Sequence, residues 1–283
     1  QDAPLWMRHS VISPDGTTIA FTYKGDIYTV PVAGGRAMQI TTNPAYDTAP
    51  VWSPDSKRIA FASDRMGSLD VYIVAKDGGE PRRLTTHSGS ETPLAFTDAG
   101  HVLFSAGIMP SAEAVVFPSN GQFNQVYRVS VEGGRPTMIS SMPMECISIN
   151  KEGAMLYQDK KGYEDYWRKH HVSPIARDIW MYTPGKEPQY RQLTTFGGED
   201  REPVWAPDGK TFYYLSEENG SFNIYRRTPG DAKAVQLTHY TKNPVRYLSA
   251  ATDGRLCYGF DGEIYTLLPG GEAQKVNISI VSD

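Results

Sequence analysis

The side chains best equipped for chemistry fall into two sets. One is the run Tyr163-Glu164-Asp165-Tyr166-Trp167-Arg168-Lys169-His170-His171, followed by Arg177. Aromatic and guanidinium groups together offer large rigid area plus directed donors, the composition of binding hot spots. Tyr163, Tyr166, Trp167, Arg168, Lys169, His170, His171 and Arg177 are therefore candidates for contact with a peptide or protein partner. Arg168 or Arg177 can clamp a peptide carboxylate through two parallel hydrogen bonds, which Lys169 cannot do. The alternative is an internal ion network in which Glu164 and Asp165 satisfy the bases. The second set is acidic. Asp47, Glu91, Glu145 and Glu202 each stand just before a proline or its equivalent, with Asp200 close by; His9 and Asn243 occupy the two remaining equivalent places. Gathered round one opening, like charges focus the field and favour cations, here peptide amino termini or basic segments. The alternative is a set of solvated charges, screened by salt and neutralised by Arg201 and Arg246.

Other chemistry finds little support. Adjacent residues on an extended chain point to opposite sides, so His170 and His171 do not form a metal pair, and no second pair stands at ligand spacing; no metal or cofactor is expected. There is no G-x-S-x-G elbow and no H-E-x-x-H, and no two carboxylates pair convincingly for acid–base work, so no hydrolysis is expected of this chain. The net charge of −4 argues against a nucleic-acid surface. No apolar run approaches the roughly 18 residues of a membrane span. Cys146 and Cys257 are the only cysteines, and both read as buried free thiols within strands. A chain starting at Gln1 rather than Met reads as processed or trimmed.

The elements that position these residues repeat. A polar residue, a β-branched residue and an aromatic recur as Asp26-Ile27-Tyr28, Asp70-Val71-Tyr72, Gln125-Val126-Tyr127, Asp178-Ile179-Trp180, Asn223-Ile224-Tyr225 and Glu263-Ile264-Tyr265. The aromatics are spaced 44, 55, 53, 45 and 40 residues apart, periods that call for a repeat architecture. In phase with them run turns of the Ser13-Pro14-Asp15-Gly16 kind, where Pro presets φ for a type I turn. Gly-Gly or Pro-Gly turns and strand ends such as Ile40-Thr41, Leu84-Thr85 and Leu237-Thr238 complete each copy. Six copies of one four-stranded antiparallel unit predict an all-β, six-bladed propeller forming a single domain over 1–276, with blades near 5–42, 50–86, 93–140, 145–195, 203–239 and 244–276. No strand is left to interlock the ring, which is expected to stay open and to close by packing. The tail 277–283 either begins a further domain or adds an edge strand.

The pattern SPDG-x-x-IAF, DIY-x-V and GG-x-x-x-x-LT resembles the repeats of TolB-type propellers. The opening run Leu5-Trp6 to Tyr28, the block Asn43–Arg65 and the segment Tyr166–Trp180 are more specifically similar to the amino-terminal six-bladed propeller of bacterial tricorn-type serine proteases. That resemblance covers the whole chain. It implies a second propeller, a PDZ domain and a serine-protease core further along the polypeptide, with the catalytic residues beyond Asp283. It also implies a possible oligomer and, for a bacterial processed chain, a periplasmic or secreted location.

Between the strand-two and strand-three aromatics the chain runs 7, 11, 23, 23, 11 and 7 residues from blade one to blade six. The excess in blades three and four, 105–124 and 158–177, is expected to rise from one face as a lid, since long loops on a rigid scaffold carry function. Two classes of function follow: a non-catalytic propeller that gates or binds peptides for a tricorn-type peptidase, or a TolB-like scaffold that docks a protein partner. A propeller controlling access to an α/β-hydrolase oligopeptidase is a third.

Overall fold

A computed structural model describes residues 4–107, 124–160 and 176–281. Among the described residues six four-stranded antiparallel sheets, each with its strands in sequence order, hold every strand except Gly35–Arg36 and Ile278–Ser279. Their innermost strands are Arg8–Ile12, Asp47–Trp52, Glu91–Asp98, Met144–Ile149, Asp200–Trp205 and Arg246–Ala250. Each innermost strand contacts the innermost strands on either side, blade one against blade six included, so the sheets stand round a ring as propeller blades.

The recurring motifs are explained by hydrogen bonds and packing. The marker aromatic pairs with a ring on strand two: Phe21 with Tyr28 at 5.8 Å between centroids, Phe61 with Tyr72 at 5.9 Å, Phe104 with Tyr127 at 5.7 Å. The threonine that ends strand four accepts a hydrogen bond from the backbone N–H just after the polar marker residue. Ile27 N donates to Thr41 Oγ1 (3.0 Å), Val71 N to Thr85 (2.9 Å), Ile179 N to Thr194 (2.9 Å) and Ile224 N to Thr238 (2.9 Å). In the SPDG turn Ser13 Oγ donates to Asp15 Oδ1 and accepts from Thr18 N. The turns also bridge blades, as where Asp15 N donates to Ser56 Oγ (3.0 Å) and Thr252 N to the Pro14 carbonyl (2.8 Å).

The core lies in the seams. Each of six apolar clusters joins two neighbouring blades, for example Ile27, Ile40, Trp52, Ile59 and Phe61 between blades one and two. This is what a sheet apolar on both faces requires. No blade mixes strands from the two ends of the chain, so there is no interlocked closure. Closure nevertheless uses more than packing. The tail strand Ile278–Ser279 pairs in parallel with Gly35–Arg36 of blade one, with Gly35 N donating to Asn277 O (2.8 Å) and Ala37 N to Ser279 O (2.9 Å). Gly34 permits the approach: an added Cβ there would stand 2.5 Å from Asn277 O. Met7 and Ile278 fill the core of the same seam. Among the described residues no helix is long and apolar enough to cross a membrane.

Candidate functional site

The inner strand of a blade must satisfy its neighbours and face the ring centre at once, and a β-bulge reconciles the two. In blade one Arg8 pairs with Thr22 and Val11 with Ala20, so two residues oppose Phe21 alone. Blades two, four, five and six repeat this opposite Phe61, Tyr157, Tyr214 and Tyr258. The first bulged residue adopts a left-handed conformation in each: His9 (φ 50°), Ala49 (53°), Cys146 (52°), Glu202 (52°) and Tyr247 (57°). Such a conformation costs a non-glycine residue about 1–2 kcal/mol, and bulges of this kind re-aim side chains. Blade three has Pro93 at the corresponding place. A ring-locked φ near −65° forbids the left-handed turn, and the extra residue is Leu94 instead.

The five left-handed residues and, in blades one, three, four, five and six, Arg8, Thr92, Glu145, Arg201 and Arg246 keep access to water, while Thr48 and Pro93 and the successors Ser10, Pro50, Ile147, Pro203 and Leu248 are buried. The result is a polar wall about the ring centre, with its charge concentrated on blades four, five, six and one. Gln158 ties it together: its amide nitrogen donates to Glu145 Oε2 (2.9 Å) and its carbonyl oxygen accepts from Glu202 N (2.9 Å). Arg177 Nε donates to Glu145 Oε2 at 3.1 Å, and Lys160 Nζ stands 4.0 Å from Glu145 Oε1. Arg177 also lies 3.7 Å from Glu199, which takes Arg201 Nε at 2.6 Å. Glu202 accepts from Leu248 N (3.0 Å). Burial pushes its carboxyl up against the pull of that bond and of Arg201 and Arg246.

Two further groups on the wall are tuned by their surroundings. Burial and the neighbouring Arg8 lower the His9 imidazole to about 4, so it is neutral beside the Tyr247 ring 5.0 Å away. Cys146 is open to solvent, contrary to the expectation of two buried thiols; Cys257 alone is buried. The Cys146 thiol is held well above its ordinary range by the protein around it and by Glu202 and Glu145. A thiol so placed stays protonated and is a weak nucleophile. Among the described residues no group of His, Cys, Asp and Glu is arranged to hold a metal ion.

The structure divides the acids expected to form one collar. Asp47 and Glu91 are 0% and 1% exposed and lie between blades, as does Asp200 at 2%. Their backbone nitrogens donate to the carbonyls of Gly25, Leu69 and Arg177 of the preceding blade, which fixes the three as equivalent. Glu145 stands one residue later in register and Glu202 two, on the bulge itself, and both keep access to water. Alternation along a strand sends such residues to different sides. The ring of four acids is thus corrected to two buried acids and two on a wall that also carries Arg8, Arg201 and Arg246. Of the aromatic and basic candidates, Tyr163, Tyr166, Trp167, Arg168, Lys169, His170 and His171 lie outside the described residues, as do most of both long insertions. Arg177 is described, and its partners include Glu145 and Glu199. Arg8, Cys146 and Tyr247 escaped the sequence reading. Pairing each inner strand against the strand-two aromatic, rather than against a proline, is the signal that finds them.

Residues 4–273 match the family of the tricorn protease N-terminal β-propeller domain. Tricorn protease homolog 1 of Streptomyces coelicolor is 26% identical over 98% of this chain and 25% of its own. The chain thus spans about a quarter of the length of that curated relative. A crystal structure of tricorn protease superposes with a TM-score of 0.80 at 19% identity, over 99% of this chain and 27% of that one. TolB from Acinetobacter baumannii superposes at 0.66 with 15% identity, over 94% and 61%, and shares the fold.

Proposed function

This chain belongs to the family of tricorn protease N-terminal β-propeller domains, and from that premise we propose that it is a non-catalytic part of a tricorn-type peptidase that holds or passes peptides along its central channel. The observation that carries this reading is the polar wall of the inner strands. Charges of both signs, Arg8, Glu145, Arg201, Glu202 and Arg246, stand on the neighbouring inner strands of blades four, five, six and one and keep access to water. An extended peptide offers amide groups and termini of both signs, and such a wall meets them without committing to one sequence. Guanidiniums beside carboxylates hold each other in place, so a passing peptide finds oriented donors and acceptors rather than mobile side chains. The backbone of the wall is held by six seams, so its shape is preformed, which limits the ordering cost of binding.

Cys146 provides the test, since it lies on this wall. In the full-length polypeptide, Cys146→Trp, which puts a bulky ring on the wall, is expected to slow turnover of long peptides several-fold, while Cys146→Ala keeps its rate. Unchanged turnover in a folded Cys146→Trp protein would remove the channel from the peptide's route.

A further inference from the structure

Where one blade meets the next, the polar marker residue of strand three faces the first residue of the following inner strand. At three of these meetings both residues are acids, Asp26 and Asp47, Asp70 and Glu91, and Asp178 and Asp200, and the backbone N–H of the second donates to the carbonyl just before the first, at Gly25, Leu69 and Arg177. At the equivalent places of the other seams stand Gln125 and Met144, Asn223 and Val245, Glu263 and Met7.

The acid pairs differ in how they are compensated. Arg65 Nη2 donates to both carboxylate oxygens of Asp47, at 3.2 and 3.1 Å, and so supplies the first pair with its own cation. Between blades two and three, Arg83 Nη2 lies 2.8 Å from Asp70 Oδ2, one cation for two carboxyl groups. Glu91 is 1% exposed, and its Oε2 has no N–H or hydroxyl donor. The groups around this pair are Asp70 on strand three, Arg83 on strand four, and Thr85 and His87 on the link, whose side-chain and backbone bonds reach Glu91. Asp70 is as buried as Glu91, and its Oδ1 likewise has no donor, so a proton held between the two carboxyls would satisfy both. Between blades four and five, Asp200 meets Asp178 and Glu218 as charged neighbours and the hydroxyls of Ser216 and Thr194, with the Tyr214 ring close by. Asp178 accepts from Gln192 Nε2 (2.9 Å), and its backbone N–H goes to Asp159 (2.8 Å).

Two carboxylates in contact away from water do not both stay ionised; one keeps its proton and donates it to the other. We propose that Glu91–Asp70 and Asp200–Asp178 are proton-sharing carboxyl pairs that latch two of the six seams, so that the propeller ring is a pH-sensitive assembly that loosens when these protons leave. Burial pushes Glu91 to about 7 and Asp200 to about 7, well above ordinary carboxyls, which agrees with the geometry. The sign follows from linkage. A carboxyl raised in the folded chain contributes stability that is complete below its unfolded value and is lost as pH rises through the folded one. The window therefore runs from the ordinary carboxyl range up through about 7.

Thermal unfolding of the chain and of Glu91→Gln, Asp200→Asn and the double variant, each between about pH 5 and about pH 8.5, tests the latch across the window in which the raised carboxyls titrate. The midpoint of the parent is expected to fall by several degrees over that range. Each single variant should lose about half of the fall and the double variant nearly all of it, while Glu145→Gln on the channel wall keeps it. A double variant that falls as steeply as the parent overturns the proposal. If the amide variants do not fold, infrared spectroscopy of the parent decides: a carboxylic-acid carbonyl band should be present in mildly acid buffer and bleach as pH rises through about 7. A folded chain without that band overturns it equally.

Discussion

The seam between blades two and three and the seam between blades three and four occupy the same place in the repeat but are filled differently. In the first, Glu91 meets Asp70, and Arg83 reaches in from strand four. In the second, Met144 stands at the place of Glu91 and Gln125 at that of Asp70. Met138, which pairs with Tyr127 as Arg83 pairs with Tyr72, replaces the cation. Both sites are closed to water: Met144 is as buried as Glu91. The repeat therefore dictates a buried position, and the side chain placed there decides whether the seam responds to protons. A buried methionine is indifferent to pH; a buried acid needs a proton, a cation or both.

The most damaging way to break this comparison is Met144→Glu. It puts an acid where Met138 supplies no cation, and it should cost about 4 kcal/mol near neutral pH, with a smaller loss in acid, where the new carboxyl is protonated. Urea unfolding at two pH values measures it, and equal losses at both would show that the two seams do not differ in the way described. Next is Arg65→Ala. It leaves the buried Asp47 without its salt-bridge partner and removes a guanidinium lying 4.5 Å from the Tyr72 ring centre. The expected loss is about 3 kcal/mol, partly restored by adding Asp47→Asn. No recovery in the double variant would place the effect in packing rather than charge.

The smallest effect separates the bulges. Ala49→Gly relieves a left-handed alanine and should stabilise by about 0.5 kcal/mol. Ala95→Gly, beside the bulge of blade three where φ is not positive, should destabilise by a similar amount. Melting temperatures that move in the same direction for both would show that the left-handed bulge of the other five blades carries no strain.

Much of the fold was legible because it is local. The marker triplets, the SPDG turns and the Ile-Thr or Leu-Thr endings lie within one blade, and each turned out to be a hydrogen-bond or ring-pairing device repeated in register. Family resemblance was legible for the same reason, since whole motifs survive where single residues vary. The site was legible only in part. Glu145, Glu202, Arg201 and Arg246 were identifiable as charges near an inner strand, but not which of them face water. One extra residue in a bulge reverses the side on which every later side chain lies, and aligning on prolines hid that shift. Cys146 was misplaced for the same cause: a cysteine in a strand is usually buried, but this one is the bulged residue.

Taken alone, the sequence determined the number of blades, the order of strands within each and the turns between them. Each of these follows from residues a few positions apart, and the spacing repeats often enough to correct its own exceptions. The tertiary structure decided which acids meet, since Asp70 and Glu91 belong to different blades. It also decided that the tail pairs with Gly35 and Arg36 from the other end of the chain, and that Arg8, Arg201 and Arg246 share the inner strands with Glu145 and Glu202 while Asp47 and Glu91 are buried. Those outcomes depend on where strands distant in sequence come to rest, and on the single-residue register with which they arrive.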